Sequence, residues 1–208
     1  MKAADETEVL VLGIGNLLWA DEGFGVRAVE ALHRSYELPA GVIVMDGGTQ
    51  GLYLLPYVQG ARRLLVFDAV DYGLAPGSLL EVHDGEVPRF TGAKKMSLHQ
   101  TGFQEVLSAA ELTGALPRRM TLIGVQAERL DDWGGALSRA VAERLDEAVH
   151  LGARRLAGWG YPPRPRAGGY GAGAPALGHG LDRASFERGE ADDGDRPLSA
   201  QSAAGGRP

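Results

Sequence analysis

The sequence predicts an α/β fold of three layers, α/β/α, in which a mostly parallel, mixed five-stranded sheet is flanked by helices. Three observations predict it. Short aliphatic runs that read as fully buried strands recur, starting near Val9, Gly41, Arg62 and Arg118. Stretches with apolar residues at helical spacing stand between and after them. One link, through Pro76 and Gly77, is too short for a crossover helix, so an antiparallel or edge strand must join the sheet.

Taken in order, "VLVLGIG", Val9 to Gly15, is the uninterrupted aliphatic run of a strand buried on both faces. "GFGVRAVEALHRSY" follows with Val26, Ala28, Val29 and Leu32 at helical spacing. "GVIVMDGG" from Gly41 repeats the strand pattern, and the apolar helical stretch "GLYLLPYV" behind it must be bent or shortened by Pro56. "RRLLVFDAV", Arg62 to Val70, is the third strand, and the turn at Pro76 and Gly77 leads into a fourth over Ser78 to Val82. "SLHQTGFQEVLSAAEL" is helical, with Ser97 and Gln100 spaced as a capping box and Pro117 closing the exit. "RRMTLIGVQ" supplies the last strand. A final amphipathic helix is expected over "DDWGGALSRAVAERLDEAVHLGARRLAG", with Leu137, Val141, Leu145, Ala148 and Leu156 as its buried stripe. From Trp159 onward Gly, Pro, Arg and Asp dominate and aliphatic residues are too few to offset the entropy of ordering. The expectation is therefore one domain over residues 1–158 and a disordered tail over 159–208. No internal repeat is visible.

Composition narrows the chemistry. At 208 residues, 44% of them apolar, the chain can bury one substantial core. No apolar run is long enough to span a membrane, and "MKAADETEV" lacks the basic-then-hydrophobic pattern of a signal peptide, so cytoplasmic residence is expected. Cysteine is absent, which excludes disulfides, thiolate metal sites and a cysteine nucleophile; any metal must be held by His, Asp and Glu. The net charge of −6 argues against nucleic-acid binding. Past Gly158 six arginines balance six acids, so the negative excess belongs to the predicted domain.

Chemistry-bearing residues collect where strands should end. Asp21 and Glu22 follow the first strand, Asp46 the second, and Asp68 and Asp71 bracket the end of the third. In a parallel sheet these ends share one edge, where ligands bind. His99, in the first turn of a capped helix, faces a partial positive charge that disfavours imidazolium and keeps a ring nitrogen free for a metal. Glu22, Asp68 and His99 together offer two carboxylates and an imidazole, donors that suit nickel, zinc, manganese or iron. Taken singly, Asp21, Asp46, Asp68 and Asp71 each read first as a cap or turn former. Glu22 does not, because Glu is a poor turn residue and the flanking glycines leave its loop open. His33, His83, His150 and His179 read as solvated, and Arg62, Arg63, Arg118 and Arg119 as surface charges at strand starts. Gly13 and Gly15 begin a dinucleotide-binding fingerprint, but Leu18 stands where its third glycine belongs, and the acidic loop that follows would repel a pyrophosphate.

Together, "GIGNLLWADEGFG", "DGGTQG", "VFDAVDYGLAPG" and "SLHQTGF" resemble the nickel-iron hydrogenase maturation endopeptidases, in order and spacing, across Val9 to Gly158. The resemblance implies an α/β fold with a mostly parallel five-stranded sheet. It implies an endopeptidase, often classed as an aspartyl protease, that removes a C-terminal extension from a hydrogenase large-subunit precursor after nickel insertion. By motif the family's metal ligands fall on Glu22, Asp68 and His99, and the segment approaching the substrate on Asp46 and Gly48 to Gly51. Catalytic carboxylates are then sought among Asp46, Glu22 and Asp68. Nickel would arrive with the precursor, and a monomer is expected. A nickel-binding chaperone using the same three ligands and a nucleotide-binding enzyme are the competing readings.

Overall fold

The computed structural model describes residues 7–90 and 98–166, and within these the side chains of all but residues 89, 90 and 98–101. In chain order the elements are β1 (Thr7–Ile14), a 3-10 turn (Ala20–Gly23), α1 (Phe24–Ser35), β2 (Tyr36–Glu37), β3 (Val42–Gly48), a second 3-10 turn (Gly51–Leu54) and α2 (Leu55–Gly60). They continue with β4 (Ala61–Val70), β5 (Leu79–His83), a third 3-10 turn (Asp84–Glu86), α3 (Val87–Phe90) and α4 (Leu98–Leu112). The chain closes with β6 (Arg119–Gln126), α5 (Arg139–Ala142), α6 (Leu145–Gly158) and β7 (Arg164–Pro165).

Five strands form one sheet in the order β3-β1-β4-β6-β5. The first four run parallel and β5 pairs antiparallel with β6, so the sheet is mostly parallel and mixed as the sequence predicts. Alternating residues feed two cores. Val9, Val11, Leu65, Phe67, Ile123 and Val125 pack beneath α1 and α6, while Leu10, Leu12, Leu64, Val66 and Leu122 pack beneath α2 and α4. With both faces covered, each such side chain contributes about 1.5–3 kcal/mol of burial, which is why these strands read as unbroken aliphatic runs.

The first strand and first helix touch through backbone. A Cβ on Gly25 would lie 2.2 Å from the Ile14 carbonyl oxygen and 2.3 Å from that of Phe67. One on Gly13 would lie 2.3 Å from the Gly25 oxygen. The glycines of the opening motif therefore let the start of α1 sit directly on the ends of β1 and β4. Among the described residues no helix is long and apolar enough to cross a membrane.

Two expectations are revised. The last helix does not begin near Asp131: residues 127–138 are an irregular arm, α5 is a single turn, and α6 starts at Leu145. Trp133-Gly134-Gly135 has poor helix propensity, Gly134 sits at φ +135°, and the arm's backbone groups bond elsewhere, as set out below. Of the two effects expected of Pro56, bending or shortening, the structure has the second: Pro56 lies in the first turn of the short α2, where its missing N–H costs nothing. The chain does not leave the fold at Gly158. Tyr161 donates a hydrogen bond to Glu8 Oε2 at 3.1 Å, β7 pairs with β2, and the Arg166 N–H reaches the Ser35 oxygen at 2.9 Å. The rest of the predicted tail, 167–208, including His179, lies outside the described residues.

Candidate active site

Four strands end on one rim, and the sheet register fixes what each brings there. Gly13 of β1 pairs with Asp46 of β3 on one side and Phe67 of β4 on the other. Asp68, one residue further along, pairs with Gly124 of β6. In-register residues of parallel strands point to the same face and successive ones alternate. Asp46 thus shares the face of Phe67, under α1, and Asp68 shares the face of Leu64 and Val66, under α4. Gly47, between the faces, points toward Ile14 and Leu54 on the α4 side, consistent with that alternation.

Asp21 and Glu22, indistinguishable in role from sequence, part company in the first 3-10 turn. Asp21 is fully buried. Its Oδ2 accepts the N–H groups of Glu128 at 2.9 Å and Arg129 at 2.8 Å, and its Oδ1 accepts that of Ser138 at 2.6 Å. Glu22 is 8% exposed, and the turn carrying it closes over the tip of β1, where the Asn16 N–H reaches the Glu22 carbonyl at 3.1 Å. Asp71 is a turn former: its Oδ1 accepts from the Gly73 N–H at 3.3 Å and from Gln126 Nε2 at 3.1 Å.

Asp68 is 3% exposed. Its charge reaches the ring of Tyr72, whose hydroxyl is pushed up to about 12, first by burial and then by Asp68. Asp46 is half-buried, and burial raises its pKa above the ordinary carboxylate value, the Gly48 N–H offsetting only part of this. Asp46 Oδ1 is enclosed without a hydrogen bond of good geometry.

His99 is the second residue of α4, as a first-turn position requires. Its side chain, Ser97 and the side chain of Gln100 lie outside the described residues, and with them the predicted capping box. The helix start is nevertheless located. A Cβ on Gly102 would come within 3.3 Å of the Gly51 Cα, so the first turns of α4 rest against the turn after "DGGT" at the end of β3. The structure therefore brings Glu22, Asp46 and Asp68 to one rim and begins α4 on the Asp68 face of it. Among the described residues no three His, Asp or Glu side chains cluster closely enough to hold a metal.

Two features of the rim have little sequence signal. Gln126, 4% exposed at the tip of β6, accepts the N–H groups of Tyr72 at 2.8 Å and Leu74 at 3.2 Å and donates to Asp71 Oδ1 and the Ala127 oxygen, each at 3.1 Å. The only hint is a polar residue closing an aliphatic run. The arm 127–138 crosses beside Glu22 and carries Trp133, whose ring meets Trp19 edge-on at 5.4 Å. A cavity of about 390 Å³ lies between Ala20 and the arm. A roomier one, of about 550 Å³, lies at the opposite end of the strands between Thr7, Tyr57 and Arg118, with no carboxylate or histidine in its lining, so we do not place chemistry there. Of the predicted solvated histidines, His83 and His150 are exposed and His33 is half-buried.

The hydrogenase maturation protease family model HycI matches residues 26–155. The chain is 54% identical over 185 residues to the hydrogenase expression/formation protein HupD of Bradyrhizobium diazoefficiens, covering 89% of this chain and 96% of that one. It is 42% identical over 160 residues to the Hydrogenase 2 maturation protease of Escherichia coli, covering 75% of this chain and 96% of the other. Among solved structures, the hydrogenase maturating endopeptidase HybD from E. coli superposes with a TM-score of 0.73 at 38% identity, covering 77% of this chain and 98% of that one.

Proposed function

This chain belongs to the hydrogenase maturation protease family, and from that premise we propose that it cuts the C-terminal extension from a nickel-iron hydrogenase large-subunit precursor once nickel is in place. What supports the reading is that Glu22 and Asp68 stand on one rim of the sheet and that α4 starts on the Asp68 face. Glu22 and Asp68 are nearly enclosed there, and a divalent cation relieves the desolvation of buried carboxylates. Two carboxylates and the His99 imidazole suit nickel, leaving coordination positions to the precursor's own ligands. Nickel travels as part of the substrate, so recognition of it confines cutting to loaded precursors and holds the scissile peptide at the rim.

β3 and β4 flank β1, so the backbones at Asp46 and Asp68 stand about 10 Å apart at ordinary strand spacing, with their carboxylates turned to opposite faces of the same rim. A peptide held at Glu22, Asp68 and His99 is then within reach of Asp46. Water adds to the scissile carbonyl carbon while Asp46 takes its proton; the C–N bond breaks and that proton passes to the departing amine. A carboxyl with a raised pKa is suited to both transfers. The reaction belongs in the cytoplasm and needs one copy of the chain.

The test is intact-mass analysis of precursor incubated with this protein, with and without nickel, and with the Glu22→Gln, Asp68→Asn and His99→Ala variants. Shortening of the nickel-loaded precursor alone is expected, sharply reduced in each variant. Equal cutting of nickel-free precursor would remove nickel from the recognition scheme, and no shortening of either would remove the protease reading for this substrate.

A further inference from the structure

We infer that Asp21 is a positioning residue, whose buried carboxylate locks the turn bearing Glu22 to the arm 127–138 and so sets where Glu22 stands on the rim. The inference rests on the reading that Glu22 engages the precursor. Asp21 immediately precedes Glu22 in a four-residue 3-10 turn, so the two side chains leave the same short backbone in different directions. Three backbone donors, from Glu128, Arg129 and Ser138, converge on Asp21 at 2.6 to 2.9 Å, using both oxygens.

Further bonds join the same two segments. The Asp21 N–H donates to the Arg129 oxygen at 3.2 Å, the Ala20 N–H to Gly134 at 2.9 Å, and the Gly134 N–H to Leu18 at 3.0 Å. Buried Arg27, at the start of α1, donates from Nη2 to the Gly135 oxygen at 3.1 Å. The arm has no helix or strand of its own up to Ser138, so these links stand in for regular structure on both sides. A hydrogen-bonded carboxylate is the one side chain that fits. Asparagine offers a single acceptor oxygen and would turn an NH2 group toward N–H donors; glutamate would push the arm outward by a methylene. Charge-assisted bonds of this length are among the stronger ones in proteins, which suits a hinge that must not yield.

The test compares Asp21→Asn with Glu22→Gln and with the double variant, in a processing assay on nickel-loaded precursor, after thermal unfolding has established that each is folded. The expected result for Asp21→Asn is a rise in KM for nickel-loaded precursor of about tenfold to a hundredfold, with kcat within about twofold, because a misplaced Glu22 weakens a grip on nickel that ground and transition states share. The double variant should process no more slowly than Glu22→Gln, since the lock acts through Glu22. A folded Asp21→Asn with unchanged KM for nickel-loaded precursor, or a double variant weakened further by the same factor, overturns the inference. Full processing by Glu22→Gln alone overturns the underlying role of Glu22 instead. Should Asp21→Asn not fold, Asp21→Ser, which is smaller and keeps an acceptor, is measured in its place with the same criteria.

Discussion

Asp46 and Asp68 stand on the two strands that flank β1, and the pleat turns their carboxylates to opposite faces of the sheet. Asp46 pairs with Gly13, which also pairs with Phe67, and Asp68 follows Phe67. One carboxylate therefore sits above the α1 layer and the other above the α4 layer, with the tip of β1 and the Glu22 turn between them. Separation of this kind lets two acids at one rim keep different environments and take different roles.

The Asp46 environment has a consequence for stability. Burial holds its carboxyl above the ordinary value of 3.8, so the folded chain retains a proton that the unfolded chain releases. The stability due to that proton is fully present below 3.8 and is lost as pH rises through the raised folded value. Asp46→Asn cannot ionise and escapes this loss. Its melting temperature relative to the unsubstituted protein should be higher at about pH 7 than at about pH 3.5, as read by thermal unfolding across that range. A difference independent of pH would show that burial does not perturb Asp46.

The backbone contact under the opening motif makes Gly25 intolerant of any side chain. A methyl group there would meet two carbonyl oxygens at 2.2 and 2.3 Å, both on core strands that cannot move aside. Gly25→Ala should cost about 3 kcal/mol in urea unfolding, near the upper end for overpacking. Gly158→Ala is the control. It ends α6 with nothing within 4 Å of the added carbon, so a gain of roughly 0.5 kcal/mol is expected from the stiffer unfolded chain.

The parts of the fold that the sequence reveals are those whose stability is local or periodic. β1, β4 and β6 are visible because burial on both faces demands unbroken aliphatic residues. β5 is visible as antiparallel because Gly77, at φ +80°, closes a turn in which the Ser78 N–H reaches Ala75 at 3.0 Å. The arm 127–138 is not visible, since what holds it is Asp21, more than a hundred residues earlier. The β2 and β7 pair involves two residues on each side, one of them Pro165, and carries no periodic signal. At the rim, strand ends announce Glu22, Asp46 and Asp68 as acids in suggestive places. Which face each occupies depends on register, and that register shifts just past Asp46, where Gly47 is skipped and Gly48 comes opposite Ile14.

Gln126 holds the loop after β4 by replacing backbone partners that the loop lacks. Gln126→Leu keeps the volume but leaves the N–H groups of Tyr72 and Leu74 without the Gln126 acceptor and Asp71 with one donor fewer. A loss of about 1–3 kcal/mol in urea unfolding is expected, the cost of partly buried donors left unmade. Amide hydrogen exchange should quicken at Tyr72 and Leu74 more than in β6 itself. Unchanged protection at those two amides would show that the loop is held by something else.

The division of the two acids can be read kinetically. If Asp68 grips the nickel-bearing end of the precursor and Asp46 moves the proton, their neutral variants should fail in different constants. Asp46→Asn is expected to leave KM nearly unchanged and to lower kcat by about 10² or more, the range that a positioned acid-base group contributes. Asp68→Asn removes binding shared by ground and transition states, so its main effect should be a raised KM for nickel-loaded precursor, with little change for any residual cutting of nickel-free precursor. Asn matches Asp in size, so steric artefacts are small in both variants. Steady-state processing rates over a range of precursor concentrations separate the two outcomes. Asp46→Asn raising KM while Asp68→Asn lowers only kcat would exchange the assignments, and identical behaviour would mean that the sheet does not divide the work.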